Sequence, residues 1–287
     1  MKKIAIIGVG LIGGSLGMAL KGCHGGDFFV IGIGRDIKKL KLAKKLGAID
    51  EFSTEFSAAS KVDIVVICTP VDIVGMIVKN ILPHIKESCI ITDAGGVKEL
   101  VINDVKKVLK EKKSKINFVG SHPMAGKEKN GIKSATSRLF NGATVILTPE
   151  LSNQKSLNLV RELWQSCGAN VIEMPCKKHD EAVALVSHIP HIIAFSISEL
   201  CGKKLKKIPE LLLIAASSFK DITRVALSNP TDWAVICNSN KSALNNALGN
   251  LLKILSSSHK ALKAKDKLEK QFSAGHKSKK EFKSNKK

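Results

Sequence analysis

Residues 2–20 read KKIAIIGVGLIGGSLGMAL, and the reading of this stretch decides the fold. Two lysines followed by seventeen uncharged residues imitate a secretory leader. Five of those seventeen residues are glycine, too many for the helix of a leader, and no convincing small-residue cleavage site follows. The Ile-rich run at 3–8 instead has the character of a parallel strand buried on both faces, and a helix begins near Ser15. Between them stands Gly8-Val9-Gly10-Leu11-Ile12-Gly13, a GxGxxG that leaves a strand and opens a helix. Gly8 permits the tight turn, Gly10 admits a pyrophosphate, and Gly13 lets helix and strand pack closely. The anion rests on the helix N-terminus, where Leu11 and Ile12 complete the first turn.

Outward from this point, strands and helices alternate. Strands are expected at 28–32, 62–68, 89–92, 117–120, 143–147 and 170–173, with helices at 37–46, 71–82, 99–112 and 154–166. This alternation implies an α/β fold with a doubly wound parallel sheet over residues 1–175. From 176 to 262 the pattern is helical, at 180–201, 209–219 and 240–262, with broadly apolar faces that call for a second copy of the chain. Residues 263–287 are rich in Lys, Ser and Gly and are expected to form a basic flexible tail.

Composition narrows the function classes. Hydrophobic residues make up 44% and charged residues 25%, which excludes collagen, coiled coil and wholesale disorder. The net charge of +21 comes without a single Tyr and with few aromatics to stack on bases, so no nucleic-acid partner is expected. No run approaches twenty apolar residues, so no membrane span is expected either. Seven scattered cysteines without a CxxC pair point to a reducing cytoplasm and away from a metal site.

The end of the second strand bears on cofactor choice. An NAD enzyme usually places an acid there, about twenty residues beyond the last glycine, to bind the ribose 2′-hydroxyl. Counting 21 residues from Gly13 reaches Gly34, and Arg35 follows, so NADP is expected over NAD, since a guanidinium suits a 2′-phosphate. A slip of two residues would instead make Asp36 the ribose acid. Thr69, Pro70 and Val71 after one strand, and Asp93 and Gly95 after the next, should line the nicotinamide side, because ligands of such sheets sit beyond the carboxyl ends of the strands.

Ser121-His122-Pro123-Met124-Ala125-Gly126 leaves a further strand at the same edge, where a histidine can accept a proton near neutral pH. Later come SHIPHIIAFS at 187–196 and FKDITRVALSNPTDW at 219–233. With the GVGLIGGSLG start and the CTPV loop, these motifs make the chain from residue 3 to about 260 resemble the prephenate and arogenate dehydrogenases of tyrosine biosynthesis. The resemblance implies a Rossmann-type domain, an all-helical dimerisation domain, a homodimer, and an active site between the domains. It implies oxidative decarboxylation of prephenate or arogenate with hydride transfer to a nicotinamide.

By the same resemblance His122 is the group on the ring 4-hydroxyl and Ser121 lies at the substrate. Arg224 corresponds to the carboxylate-binding arginine, and His191 and Ser187 meet the substrate's carboxylate and side chain. Glu128 and Asp221 orient the arginine network, and Trp233 stands near the mouth. His179 and His188 read as helix packing and stay outside this set. The chain departs from the family at Gly96, where a serine is usual in the DxGSxK loop, so either a water substitutes or turnover is slower. The stretch contains no chorismate mutase segment or regulatory domain, so any tyrosine feedback is expected at or near the active site. Two other readings compete: another two-domain reductase of the 6-phosphogluconate dehydrogenase type, and a non-enzymatic NADP(H)-binding sensor.

Overall fold

A computed structural model describes residues 1–22, 28–127 and 129–284. Its first part is one eight-stranded sheet, composed of β1 (Lys2–Ile7), β2 (Phe28–Ile33), β3 (Glu51–Ser53), β4 (Ile64–Ile67), β5 (Ile90–Asp93), β6 (Asn117–Pro123), β7 (Thr144–Leu151) and β8 (Asn170–Glu173). The order across the sheet is β3-β2-β1-β4-β5-β6-β7-β8. Alternation along β1 explains why both faces are covered. Ile4 and Ile6 pack with Leu16 and Leu20 of α1 (Leu11–Gly22), Leu40 of α2 (Ile37–Lys45) and Trp164, while Ala5 and Ile7 pack with residues of α3 (Val74–Ile81) and α4 (Glu99–Glu111) on the other side. Trp164 belongs to α5 (Gln154–Ser166), which completes the first face.

The expected all-parallel sheet needs one correction. β7 runs antiparallel to β6, with His122 opposite Ile146 and Ser121 opposite Leu147. The chain leaves β6 through residues 124–143 without a crossover α-helix, and an antiparallel neighbour needs none. β3 is a three-residue edge strand, too short to show in the hydrophobic pattern. The strands that matter for the site, β1, β4, β5 and β6, remain mutually parallel and end at one edge.

The second part is helical: α6 (Cys176–Val183), a π turn (Ala184–His188), α7 (Ile189–Gly202), α8 (Leu211–Ile214), α9 (Ser217–Thr223), α10 (Pro230–Ser239), α11 (Lys241–Ala261) and α12 (Lys265–Ser284). Pro190 lacks an N–H, so the helical ladder widens just before it, which is where the π turn falls. Together 176–202 form a helical run long and apolar enough by length and composition to cross a membrane, contrary to the expectation that no such run exists. The run carries buried His179, Asp180 and His188, however, all tied by hydrogen bonds within the protein. α10 was not anticipated, although its start is written in Asn229, whose side chain caps Thr231 N–H, and in Pro230 in the first turn.

Within residues 263–287, expected to be a flexible tail, Lys265–Ser284 form α12 instead. Ala264, Leu268 and Gln271 fall on one face, and the Gln271 amide donates to the Ile254 carbonyl (3.1 Å) and to Ser258 Oγ (2.6 Å) of α11. A composition averaged over the window hides that single seam. The core of the helical part is small, centred on Ala184, Ile189, Leu244 and Ala247. Leu185, Leu200, Leu213 and Leu227 are left exposed.

Candidate active site

The glycine turn forms a cradle for a dinucleotide. Gly8 has φ +93°, and a Cβ there would stand 2.7 Å from the Cys68 carbonyl oxygen. Gly13 is equally constrained, since a Cβ would collide with the Gly8 carbonyl oxygen and stand 2.8 Å from Ile6. Gly10 differs: nothing lies within 4 Å of its missing Cβ, so space opens there above the N-terminus of α1. A cavity of about 760 Å³ extends from this point, lined by Gly8, Gly10, Arg35, Thr69 and Pro70 among others. An open glycine at a helix N-terminus fits a pyrophosphate, so these residues suit the dinucleotide the sequence implied.

Not every expected cofactor residue reaches the cavity. Val71 is buried, and Gly95 packs so tightly on it that a Cβ would collide. Asp93 is fully buried, accepting from Gly95 N–H (2.8 Å), Ser121 N–H (3.1 Å) and the Lys98 ammonium. Its carboxylate holds the loop after β5 and is not among the residues lining the cavity. Leu11 is buried as well, and Ile12 packs against the core beneath the sheet.

At the end of β2, Gly34 N–H donates to Ser53 O (3.2 Å) and the missing side chain faces Leu40. Asp36 serves as the N-cap of α2, its carboxylate accepting from Lys39 N–H at 3.1 Å. Arg35, Asp36, Lys39 and Thr54 share the cavity wall at this end.

The floor of the site is a buried polar network. Lys98, fully buried, also donates to the Ser121 carbonyl (2.8 Å), and burial pushes its ammonium below the ordinary lysine range. Ser121 corrects its expected place at the substrate: it is fully buried and its hydroxyl pairs with Thr92 Oγ1 at 2.5 Å. On a strand buried from both sides, alternate side chains point away from the cleft, and Ser121 is one of them. Its neighbour His122 points the other way.

His122 does not act alone. Its Nδ1 lies 2.8 Å from Nε2 of His179, and Nδ1 of His179 lies 2.7 Å from the Asp180 carboxylate. Asp180 also accepts from the backbone N–H of Lys98 (2.8 Å) and Glu99 (2.9 Å), fastening α6 to the N-terminus of α4. His179, set aside as helix packing, is therefore a hydrogen-bond partner of His122, and its signal was the His-Asp pair just past the domain junction. Burial, with the neighbouring His179, Lys98 and His188, holds the His122 imidazole well below the ordinary histidine range, so it stays neutral.

The chain of contacts runs on to the substrate end. Asn240 donates to the Asp180 carbonyl (2.8 Å) and lies 3.2 Å from His188 Nδ1. Burial pushes His188 down to about 4. The Trp233 ring meets His188 edge-on at 6.0 Å and lies stacked on His191 at 3.3 Å. His191 Nδ1 donates to the Ser187 carbonyl at 2.9 Å, and burial together with the Arg224 charge keeps its imidazole below the usual range. Ser187, Arg224 and Trp233 thus all lie close to His191. Asp221 lies one turn before Arg224 on α9 and is exposed. Glu128 lies outside the described residues. Asn130 donates to Asp232 at 2.6 Å, joining the loop after β6 to α10.

Comparison with known proteins follows the same division of the chain. A family model described as the prephenate dehydrogenase nucleotide-binding domain matches residues 16–173, and one described as the prephenate dehydrogenase dimerization domain matches residues 175–274. The prephenate dehydrogenase of Bacillus subtilis (strain 168) is 35% identical over 245 residues, 84% of this chain and 65% of that protein, so the chain spans just under two thirds of its length. The cyclohexadienyl dehydrogenase of Zymomonas mobilis is 33% identical over 269 residues, 92% of this chain and 90% of that one. Among solved structures, prephenate dehydrogenase from A. aeolicus in complex with hydroxyphenyl propionate and NAD+ superimposes with a TM-score of 0.87 at 30% identity, covering 98% of each chain.

Proposed function

The chain belongs to the prephenate dehydrogenase family, and from that premise we propose that it oxidatively decarboxylates a cyclohexadienol, prephenate or arogenate, using NADP. The observation that carries the reading is His122: a neutral imidazole at the carboxyl edge of the sheet, its Nε2 beside Gly96 in the loop that follows β5. When bound, a nicotinamide supplies the hydride acceptor. His122 Nε2 takes the proton of the ring 4-hydroxyl as that oxygen becomes a carbonyl. Arg224 holds a carboxylate, His191 and Ser187 meet the side chain, and Trp233 walls the mouth. Carbon dioxide leaves and the ring becomes aromatic.

NADP is favoured by Gly34 in place of the ribose acid and by Arg35 and Lys39 on the cavity wall. A homodimer would cover Leu185, Leu200, Leu213 and Leu227 and enlarge the small helical core. The scattered cysteines favour a cytoplasmic setting. Another reductase type or a non-enzymatic sensor is not favoured, because the resemblance runs through the helical half as well as the nucleotide-binding half. Absorbance at 340 nm, with prephenate and arogenate each crossed with NADP and NAD, tests the reading. Turnover of at least one substrate, faster with NADP, is expected; no turnover in any of the four mixtures overturns it.

A further inference from the structure

Three residues in a line decide which nitrogen of the base is bare. Asp180 sits on two backbone N–H groups at the start of α4, a place that suits a carboxylate. A carboxylate only accepts, so Nδ1 of His179 carries the proton at their 2.7 Å contact, and in the neutral imidazole form Nε2 is then the acceptor. Across the 2.8 Å contact His122 must then donate from Nδ1. That leaves Nε2 of His122 as a lone pair on the side where Gly96 carries no side chain.

We propose that His179 and Asp180 are positioning residues of the reaction, holding His122 in the tautomer with a bare Nε2 and sharing the charge it acquires. The inference rests on His122 being the base. In the step itself the substrate O–H bond breaks as an N–H bond forms at Nε2, and the hydride leaves C4 for the nicotinamide. The resulting positive charge is shared through the Nδ1–H bond with His179, whose own Nδ1–H points at Asp180. The Nε2 proton returns to solvent after product leaves.

The arrangement crosses the domains. His122, Lys98 and Glu99 belong to the nucleotide-binding part, while His179 and Asp180 lie on the first helix of the helical part. The tautomer is therefore set by docking of one part on the other. Among the described residues, the charged and titratable groups acting on His122 are His179 from α6, itself bonded to Asp180, Lys98 at the start of α4, and His188 from the π turn.

Nitrogen-15 NMR of imidazole-labelled protein, with NADP present and His122 assigned through His122→Asn, reads the tautomer directly. Wild type should show His122 protonated at Nδ1 and bare at Nε2. In Asp180→Asn an amide N–H facing His179 should reverse both rings, and kcat should fall at least a hundredfold with NADP affinity unchanged, in the manner of other tautomer-fixing carboxylates. Because Asp180 also caps α4, a second pair of variants guards against a folding failure. His179→Gln can still accept from His122 Nδ1 and should keep at least ten times the kcat of His179→Ala.

A wild-type His122 protonated at Nε2 overturns the proposal, as does equal kcat in His179→Gln and His179→Ala. So does a folded Asp180→Asn with wild-type tautomer and rate. If the wild type turns over neither substrate, the functional reading fails while the tautomer measurement still stands by itself.

Discussion

A Cβ placed on Gly96 would stand 3.6 Å from Nε2 of His122, at ordinary van der Waals distance, and Gly96 is not among the glycines with positive φ. Gly96, which stands where the resemblance places a serine, is therefore beside the bare nitrogen of the base, with room for a side chain. Gly96→Ser should fold normally and keep or raise kcat by up to about tenfold, since a neutral hydrogen bond nets roughly 0.5–1.5 kcal/mol. A steady-state assay with a thermal melt checks this. Loss of turnover in a well-folded variant would show that the site has been rebuilt without that hydroxyl.

The pH behaviour follows from burial. His122 must be neutral to accept a proton, and its imidazole is held well below the ordinary range. The acid limb of kcat/KM should accordingly fall below pH 6, leaving a flat profile from about pH 6 to 8, where an ordinary histidine would still be titrating. His122→Asn should lower kcat about a hundredfold or more at every pH in that range. A limb centred near 6.5 would refute the depressed base.

Stability should carry its own pH signature. His188 is buried and titrates at about 4 in the folded protein, against an ordinary value of 6.5. Between those values the unfolded chain binds the proton and the folded one does not. Stability should therefore be complete above about pH 6.5 and fall as pH drops towards 4, by about 3 kcal/mol at most. Denaturant melts of wild type and His188→Gln across this window should converge at low pH if the sign is right.

Arg224→Ala should raise KM roughly ten- to hundredfold with a smaller effect on kcat, because a charge-assisted carboxylate contact is present in the ground state too. An unchanged KM would make Arg224 a structural neighbour of His191, whose imidazole its charge already depresses.

Arg35→Ala should weaken NADP by about tenfold or more and leave NAD within about twofold, as measured by fluorescence titration. Equal wild-type affinity for both dinucleotides would show that the end of β2 does not discriminate.

Deleting residues 263–287 removes α12 and its Gln271 bonds to α11. The melting temperature should drop by several degrees, as a loss of about 1–2 kcal/mol produces in a domain of this size, while dinucleotide affinity stays unchanged. An unaltered melt would return these residues to the status of a dispensable tail.

What could be read along the chain were features that repeat with a local period or carry a local shape. The buried strand before Gly8, the three glycines, the missing acid at Gly34 and the change to helices near Pro175 each need only a few neighbouring residues to be recognised. His122 was legible for the same reason, because it follows a strand that ends at the ligand edge. The antiparallel β7, the burial of Ser121 and Asp93, and the seam that turns residues 265–284 into a helix were decided by neighbours far along the chain. So was the partnership of His122 with His179, which are 57 residues apart. A lone histidine in a helix has no local mark that separates packing from chemistry. Only when α6 docks on the N-terminus of α4 does Asp180 meet Lys98 and Glu99, and only then does hydrogen-bond direction determine which nitrogen of His122 is left to react.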